Sequence, residues 1–199
     1  MIVTNRIRHL LLALIALSLL AAETARAGDY HNDRRGLMLG FNVGGANAGL
    51  NFQRLGADIK REIEGGHGGA LRVGFGLSDH FVLSFEAYGI EKQDAATDLE
   101  AGAALVTATW YPGGGGFFLR AGVGTGVTSL KMTSPEFINW VEREGDAALL
   151  GLGYEWRLGR QFALGVAVDG VVTEYSDTFG FHDTEFGFGS ASLQLNWYL

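Results

Sequence analysis

The sequence predicts an all-β fold, an eight-stranded antiparallel up-and-down transmembrane β-barrel, and three observations predict it. The first is the stretch Ala147–Glu174. There Ala148, Leu150, Leu152, Tyr154, Trp156 and Leu158 alternate with Leu149, Gly151, Gly153, Glu155 and Arg157, which is the period of a strand with one apolar face. After a tight turn at Leu158–Gln161, Phe162, Leu164, Val166 and Val168 resume the apolar row against Ala163, Gly165, Ala167 and Asp169. A sheet facing bulk water would carry Lys, Thr and Ser on its polar row. Here that row is glycine, alanine and isolated charges, which suits a narrow lumen, while the apolar row suits lipid. The second observation is that three short turns alternate with four longer connections, the asymmetry of barrels with short turns in the periplasm. The third is an export signal: Arg6 and Arg8 precede the apolar run Leu10–Ala22, and Ala25-Arg26-Ala27 supplies the small residues of a cleavage site, so residues 1–27 read as a signal peptide.

Composition narrows the function. The net charge is −7, and removing residues 1–27 takes away three arginines against one glutamate, so nucleic acid is not expected as a partner. There is no cysteine, so an exported chain of one-domain size must be held by strand pairing rather than disulfides. The 31 glycines have no collagen period and accompany 12% aromatic residues, which excludes a disordered chain. Beyond the signal no apolar run is long enough for a helical span, so a membrane crossing must be made by strands.

Gly28–Arg35 is a polar periplasmic lead, and the barrel domain covers residues 36–199. Strand one points Leu37, Leu39, Phe41 and Val43 outward and Met38, Gly40, Asn42 and Gly44 inward. Asn47–Glu64 is a long loop in which Leu55, Ile59 and Ile63 suit either a short helix or a strand rising above the membrane. Strand two, Gly68–Gly76, carries Leu71, Val73 and Phe75 outside and Arg72 inside. After the turn Leu77–His80, strand three turns Phe81, Leu83, Phe85 and Ala87 out and Ser84, Glu86 and Tyr88 in. Strand four, Leu99–Tyr111, is expected to face Ala101, Ala103, Leu105, Thr107 and Thr109 outward, with Glu100 and Trp110 inward. Pro112–Gly116 turns into strand five, Phe117–Val127, where Phe118, Arg120, Gly122, Gly124 and Gly126 face in. That glycine spacing is GxGxG with no helix after it, so it makes room for neighbouring side chains and is not a nucleotide fingerprint. Strands six and seven are the opening hairpin. Strand eight closes the chain, with Leu193, Leu195, Trp197 and Leu199 alternating against Gln194, Asn196 and Tyr198.

With this parity the outward aromatics Phe75, Phe81, Tyr111, Phe117, Trp156, Phe162 and Trp197 gather beside the short turns as a lower girdle. Phe186 and Phe188 fall on the inward parity unless a bulge between Gly187 and Ser190 shifts the register.

On these features the chain resembles the small outer-membrane β-barrel superfamily, the type of outer-membrane proteins A, X and W. The likeness covers Gly36–Leu199 and is carried by LRAGVGTG at Leu119–Gly126, GLGYEWRLGRQFAL at Gly151–Leu164 and the closing LQLNWYL. It implies an outer-membrane location, contact with outer-membrane lipid and lipopolysaccharide, and insertion by the barrel-assembly machinery. Members usually end in phenylalanine; this chain ends in Leu199, a departure within the signal that machinery reads.

The interior charges are Arg72, Arg120 and Arg157 against Glu86, Glu100, Glu155 and Asp169. An eight-stranded lumen is just wide enough to be filled by side chains, and buried charges must be paired, so a salt-bridged plug is expected. A narrow channel for small or apolar solutes through the same charges is the alternative. A lipid A-modifying enzyme is the third reading, resting on Ser176, His182, Asp183 and Glu185. The deacylase pattern of His and Ser two apart is absent at His182-Asp183-Thr184, so no catalytic residue, cofactor or metal site is assigned. Loop acids such as Glu142, Glu144, Asp177 and Asp183 could meet divalent ions bridging lipopolysaccharide, but a solvated face accounts for them. In Lys131–Gly145, Thr133 or Ser134 can cap a helix on which Phe137, Trp140 and Val141 share one face, as a lid on the barrel mouth or a contact for a partner or headgroups.

Overall fold

The computed structural model describes residues 33–54, 57–93, 97–132, 140–176 and 182–199. Eight strands follow one another: β1 (Gly36–Arg54), β2 (Ala57–Ser78), β3 (Phe81–Gln93), β4 (Thr97–Trp110), β5 (Phe117–Met132), β6 (Trp140–Arg157), β7 (Phe162–Tyr175) and β8 (His182–Tyr198). Each pairs antiparallel with its sequence neighbour, and β8 closes on β1 through pairs such as Leu39↔Trp197 and Val43↔Leu193. Closure removes both sheet edges, which is what allows strands to stand in hydrocarbon without unpaired backbone groups.

The alternation in the sequence is the alternation of the wall. On β6 and β7, Leu150, Leu152, Phe162, Leu164 and Val168 are exposed while Leu149, Gly153, Glu155, Ala163, Ala167 and Asp169 are buried. The same holds on β1, β2, β3, β5 and β8, so the outside is a continuous belt that includes Phe41, Leu71, Phe85, Val123 and Leu193. Such a belt is stable only against lipid.

Strand four departs from the expected parity. Ala101, Ala103, Leu105, Thr107 and Thr109 face inward, and Val106 and Trp110 face out. Register explains it: β4 must continue the outward row of β3, and Phe85 pairs with Val106, Leu83 with Ala108 and Phe81 with Trp110. Tyr111 is therefore not part of the girdle, being only 3% exposed, and Trp110, 50% exposed, stands there instead. Glu100 faces outward opposite Glu91 on β3, away from the lumen. Phe186 and Phe188 are buried inside, and the β7–β8 pairing runs without a break through Gly187–Ser190.

The long connections are shorter than their sequence suggested, because the strands keep pairing beyond the belt. Residues 47–54 and 57–64 are strand, joined by pairs such as Asn51↔Lys60, after a register shift between Ala46 and Ala48. β6 begins at Trp140, so Trp140 and Val141 belong to a strand and not to the expected helix. Phe137 and the proposed helix start lie outside the described residues, as do the signal peptide, the lead as far as Asn32, and Asp177.

Candidate functional site

The inward rows build two zones. Toward the outer end the interior is apolar, with Leu50, Ile63, Ile90, Leu99, Leu149, Val171, Phe186 and Phe188 in one buried cluster. Toward the end carrying the short turns lie the buried charges, bounded by a second apolar cluster that includes Met38, Val82 and Phe118.

The polar zone centres on two carboxylates. Glu86 on β3 accepts Arg72 of β2 at 2.6 Å and Arg120 of β5 at 3.2 Å, both on Oε1, and its Oε2 accepts the Thr107 hydroxyl of β4 at 3.3 Å. Asp169 on β7 accepts the Tyr88 hydroxyl at 2.6 Å and lies 3.5 Å from Arg120. The second Arg120 nitrogen donates to Gln194 of β8 at 3.1 Å, and Asn42 of β1 donates to the Tyr88 oxygen at 3.5 Å. Each buried ion thus has an opposite charge or a polar partner within reach, which is the condition for burying it at all.

A second centre sits at the mouth. Glu155 on β6 accepts Asn196 at 2.7 Å and Tyr198 at 2.8 Å, with the Tyr111 hydroxyl at 3.4 Å. Arg72 reaches Asn196 at 3.4 Å and joins the two centres. Every strand therefore contributes a side chain to one hydrogen-bonded network.

Of the lumen charges read from the sequence, Arg72, Glu86, Arg120, Glu155 and Asp169 are brought together here. Arg157 lies at the mouth, half-buried, with its guanidinium 4.2 Å from the centre of the Tyr198 ring and donating to the Asp33 carbonyl. Glu100 is absent from the network for the reason given above.

The residue that sequence reading missed is Arg34 of the lead. It is 0% exposed and inserts into the mouth, pairing with Glu155 at 3.3 Å. It continues the inward row of β1 back from Met38 through Gly36, while Arg35 falls on the outward row and is exposed. With Arg34 included, three guanidiniums meet three carboxylates.

On the outer surface Phe75, Phe117, Phe162 and Trp197 are exposed and Phe81 and Trp156 partly so. Phe162 and Trp197 stack at 5.6 Å with planes 7° apart. His182 and Asp183 are strand residues of β8, His182 opposite Gln53, and Glu185 faces outward.

Neisserial surface protein A has a similar solved structure, with a TM-score of 0.53 at 9% identity over 82% of this chain and 97% of that one. The chain has the fold of a small outer-membrane β-barrel. Two further solved barrels align at 12–13% identity. The attachment invasion locus protein of Yersinia pestis gives a TM-score of 0.47 over 81% of this chain and 99% of its own. Outer membrane protein OprG from Pseudomonas aeruginosa gives 0.45 over 83% and 97%. No protein family and no curated protein matches the chain in sequence. The exposed apolar belt and the closed antiparallel wall are those of a membrane-spanning β-barrel.

Proposed function

We propose that this outer-membrane β-barrel is a non-enzymatic structural or surface-interaction protein whose lumen is plugged by charged side chains. One observation carries the reading: Glu86, Asp169 and Glu155, each at most 2% exposed, are bonded to partners on β2, β3, β4, β5 and β8, so the interior is filled where a pore would be open. Its working surface is then the outer ends of the strands and their connections. The outward carboxylates Glu91, Glu100, Asp146, Glu174 and Glu185 make that rim acidic and argue against nucleic acid. Outer-membrane lipid and lipopolysaccharide are its surroundings in this proposal, and the barrel-assembly machinery its partner during insertion.

The test is single-channel conductance of the refolded protein in a planar bilayer, beside Arg120→Ala. Silence from folded, inserted protein is expected. Discrete steps altered by Arg120→Ala would sink the plug and promote a narrow channel. One observation favours that second reading: Asn42 Oδ1, Ser190 Oγ, Ser192 Oγ and Gln194 Nε2 are buried along β1 and β8 without a hydrogen-bond partner in the protein, and water entering the lumen would satisfy them.

A further inference from the structure

The mouth beside the short turns holds a guanidinium in a cage that the barrel builds around it. Arg34 Nη1 donates to the carbonyl oxygens of Asp79 at 2.9 Å and Gly114 at 3.3 Å. Nη2 donates to the Gly115 carbonyl at 2.8 Å, and Nε to Glu155 Oε1 at 3.3 Å. Its carbon lies 3.6 Å from the centre of the Tyr111 ring. Edge donors into four oxygens and a face against an aromatic ring together describe a planar, delocalised cation. A lysine ammonium offers three donors and no face to stack.

The wall is shaped for this occupant. Gly76 lies where any Cβ would stand 1.5 Å from the Arg34 carbonyl oxygen, so a side chain there would bar the lead from entering. Gly113 and Gly114 have φ of 71° and 69°, conformations glycine adopts readily, in the turn whose Gly114 and Gly115 carbonyls accept Arg34. The charge also requires an occupant: Glu155 is 1% exposed, and its partners Asn196, Tyr198 and Tyr111 are neutral.

We propose that the periplasmic mouth is a guanidinium-binding site, that Arg34 is its intramolecular occupant, and that the site accepts a guanidinium from another molecule once the lead is withdrawn. The geometry of the mouth alone supports this, so the site stands whether or not the lumen conducts.

The experiment uses the refolded full barrel in lipid vesicles. Arg34→Ala is expected to lower the midpoint of thermal unfolding. Millimolar methylguanidinium should restore most of that loss, while methylammonium and sodium do not, and Arg34→Ala/Glu155→Gln should not respond. A peptide copying residues 32–36 separates the sources of the ligand. Restoration by methylguanidinium shows that the headgroup suffices, whereas restoration by the peptide alone makes the ligand an arginine-bearing segment. Response to neither, or an equal response from the unaltered protein whose site is filled, overturns the proposal.

Should Arg34→Ala not fold, the cysteine-free chain permits a spin label at Asp33→Cys with Arg34 in place. A label immobilised alone and loosened by methylguanidinium or the peptide supports the proposal, and one indifferent to both overturns it.

Discussion

Arg72 and Glu86 stand directly opposite each other on β2 and β3, and their side chains meet at 2.6 Å inside the barrel. Glu86 also holds Arg120, so one carboxylate balances two guanidiniums, helped by Asp169. Removing it leaves two buried cations short of charge, and breaking a buried pair from one side costs about 3–5 kcal/mol. Glu86→Ala is therefore expected to lower stability by about that amount in urea unfolding of the barrel in vesicles. The double variant Arg72→Ala/Glu86→Ala should lose less than the sum of the single losses, since the two residues share one network. Additive losses would mean that the pair is solvated and not coupled.

Glycines on the two faces should answer oppositely to the same substitution. A Cβ at inward Gly124 would lie 2.0 Å from the Ala104 carbonyl oxygen, which the paired backbone cannot yield cheaply. At outward Gly89 a Cβ meets nothing within 4 Å. Gly124→Ala should cost about 1–3 kcal/mol through overpacking, while Gly89→Ala should be neutral or gain about 0.5–1 kcal/mol from reduced chain freedom. Unfolding midpoints of the two variants in the same lipid decide it.

How legible these features were follows from where each sits. The β6–β7 hairpin could be read outright because its two rows differ at most positions between Gly151 and Asp169, where glycine, alanine and charges face leucine, valine and aromatics. Arg72, Glu86, Arg120, Glu155 and Asp169 followed once that parity was set, since a strand buried on one face fixes its register. Arg34 was missed because the polar lead was set apart from strand one, although the inward parity of Met38 and Gly40, carried back through Gly36, falls on Arg34 and leaves Arg35 outside. Trp140 and Val141 misled because two apolar neighbours after Phe137 match helical spacing, and pairing across β5 and β6 overrode that signal. Strand pairing likewise extended β1 and β2 through residues whose charges and glycines hide the period.

The belt makes a depth-dependent prediction. Leu152 is 51% exposed and sits between Leu119 of β5 and Val168 of β7, among apolar neighbours near the middle of the wall. An arginine on the lipid face at mid-depth costs about 2–4 kcal/mol and near the interface about 0–1 kcal/mol. Leu152→Arg should destabilise the vesicle-embedded barrel within the first range, and Glu185→Arg, at the acidic outer rim, within the second. Equal effects would show that the belt is not held in hydrocarbon.

Strand four gives the sharpest test of the wall because its two rows are alike in size and polarity: Ala, Ala, Leu, Thr and Thr on one, Gly, Ala, Val, Ala and Trp on the other. The sequence alone suggests an outward row of Ala101, Ala103, Leu105, Thr107 and Thr109, with Glu100 and Trp110 inward. The structure places Glu100 on the outer face, paired with Glu91 and Ser129 toward the outer ends of the strands, where an outward carboxylate can meet water. Only pairing to β3 then sets the rows, and it leaves Leu105 1% and Val106 42% exposed. Because the chain has no cysteine, each position can be probed alone. A thiol reagent dissolved in the lipid phase should label Val106→Cys rapidly and Leu105→Cys hardly at all. The reverse order would invert strand four, put Glu100 back into the lumen, and remove Thr107 from Glu86.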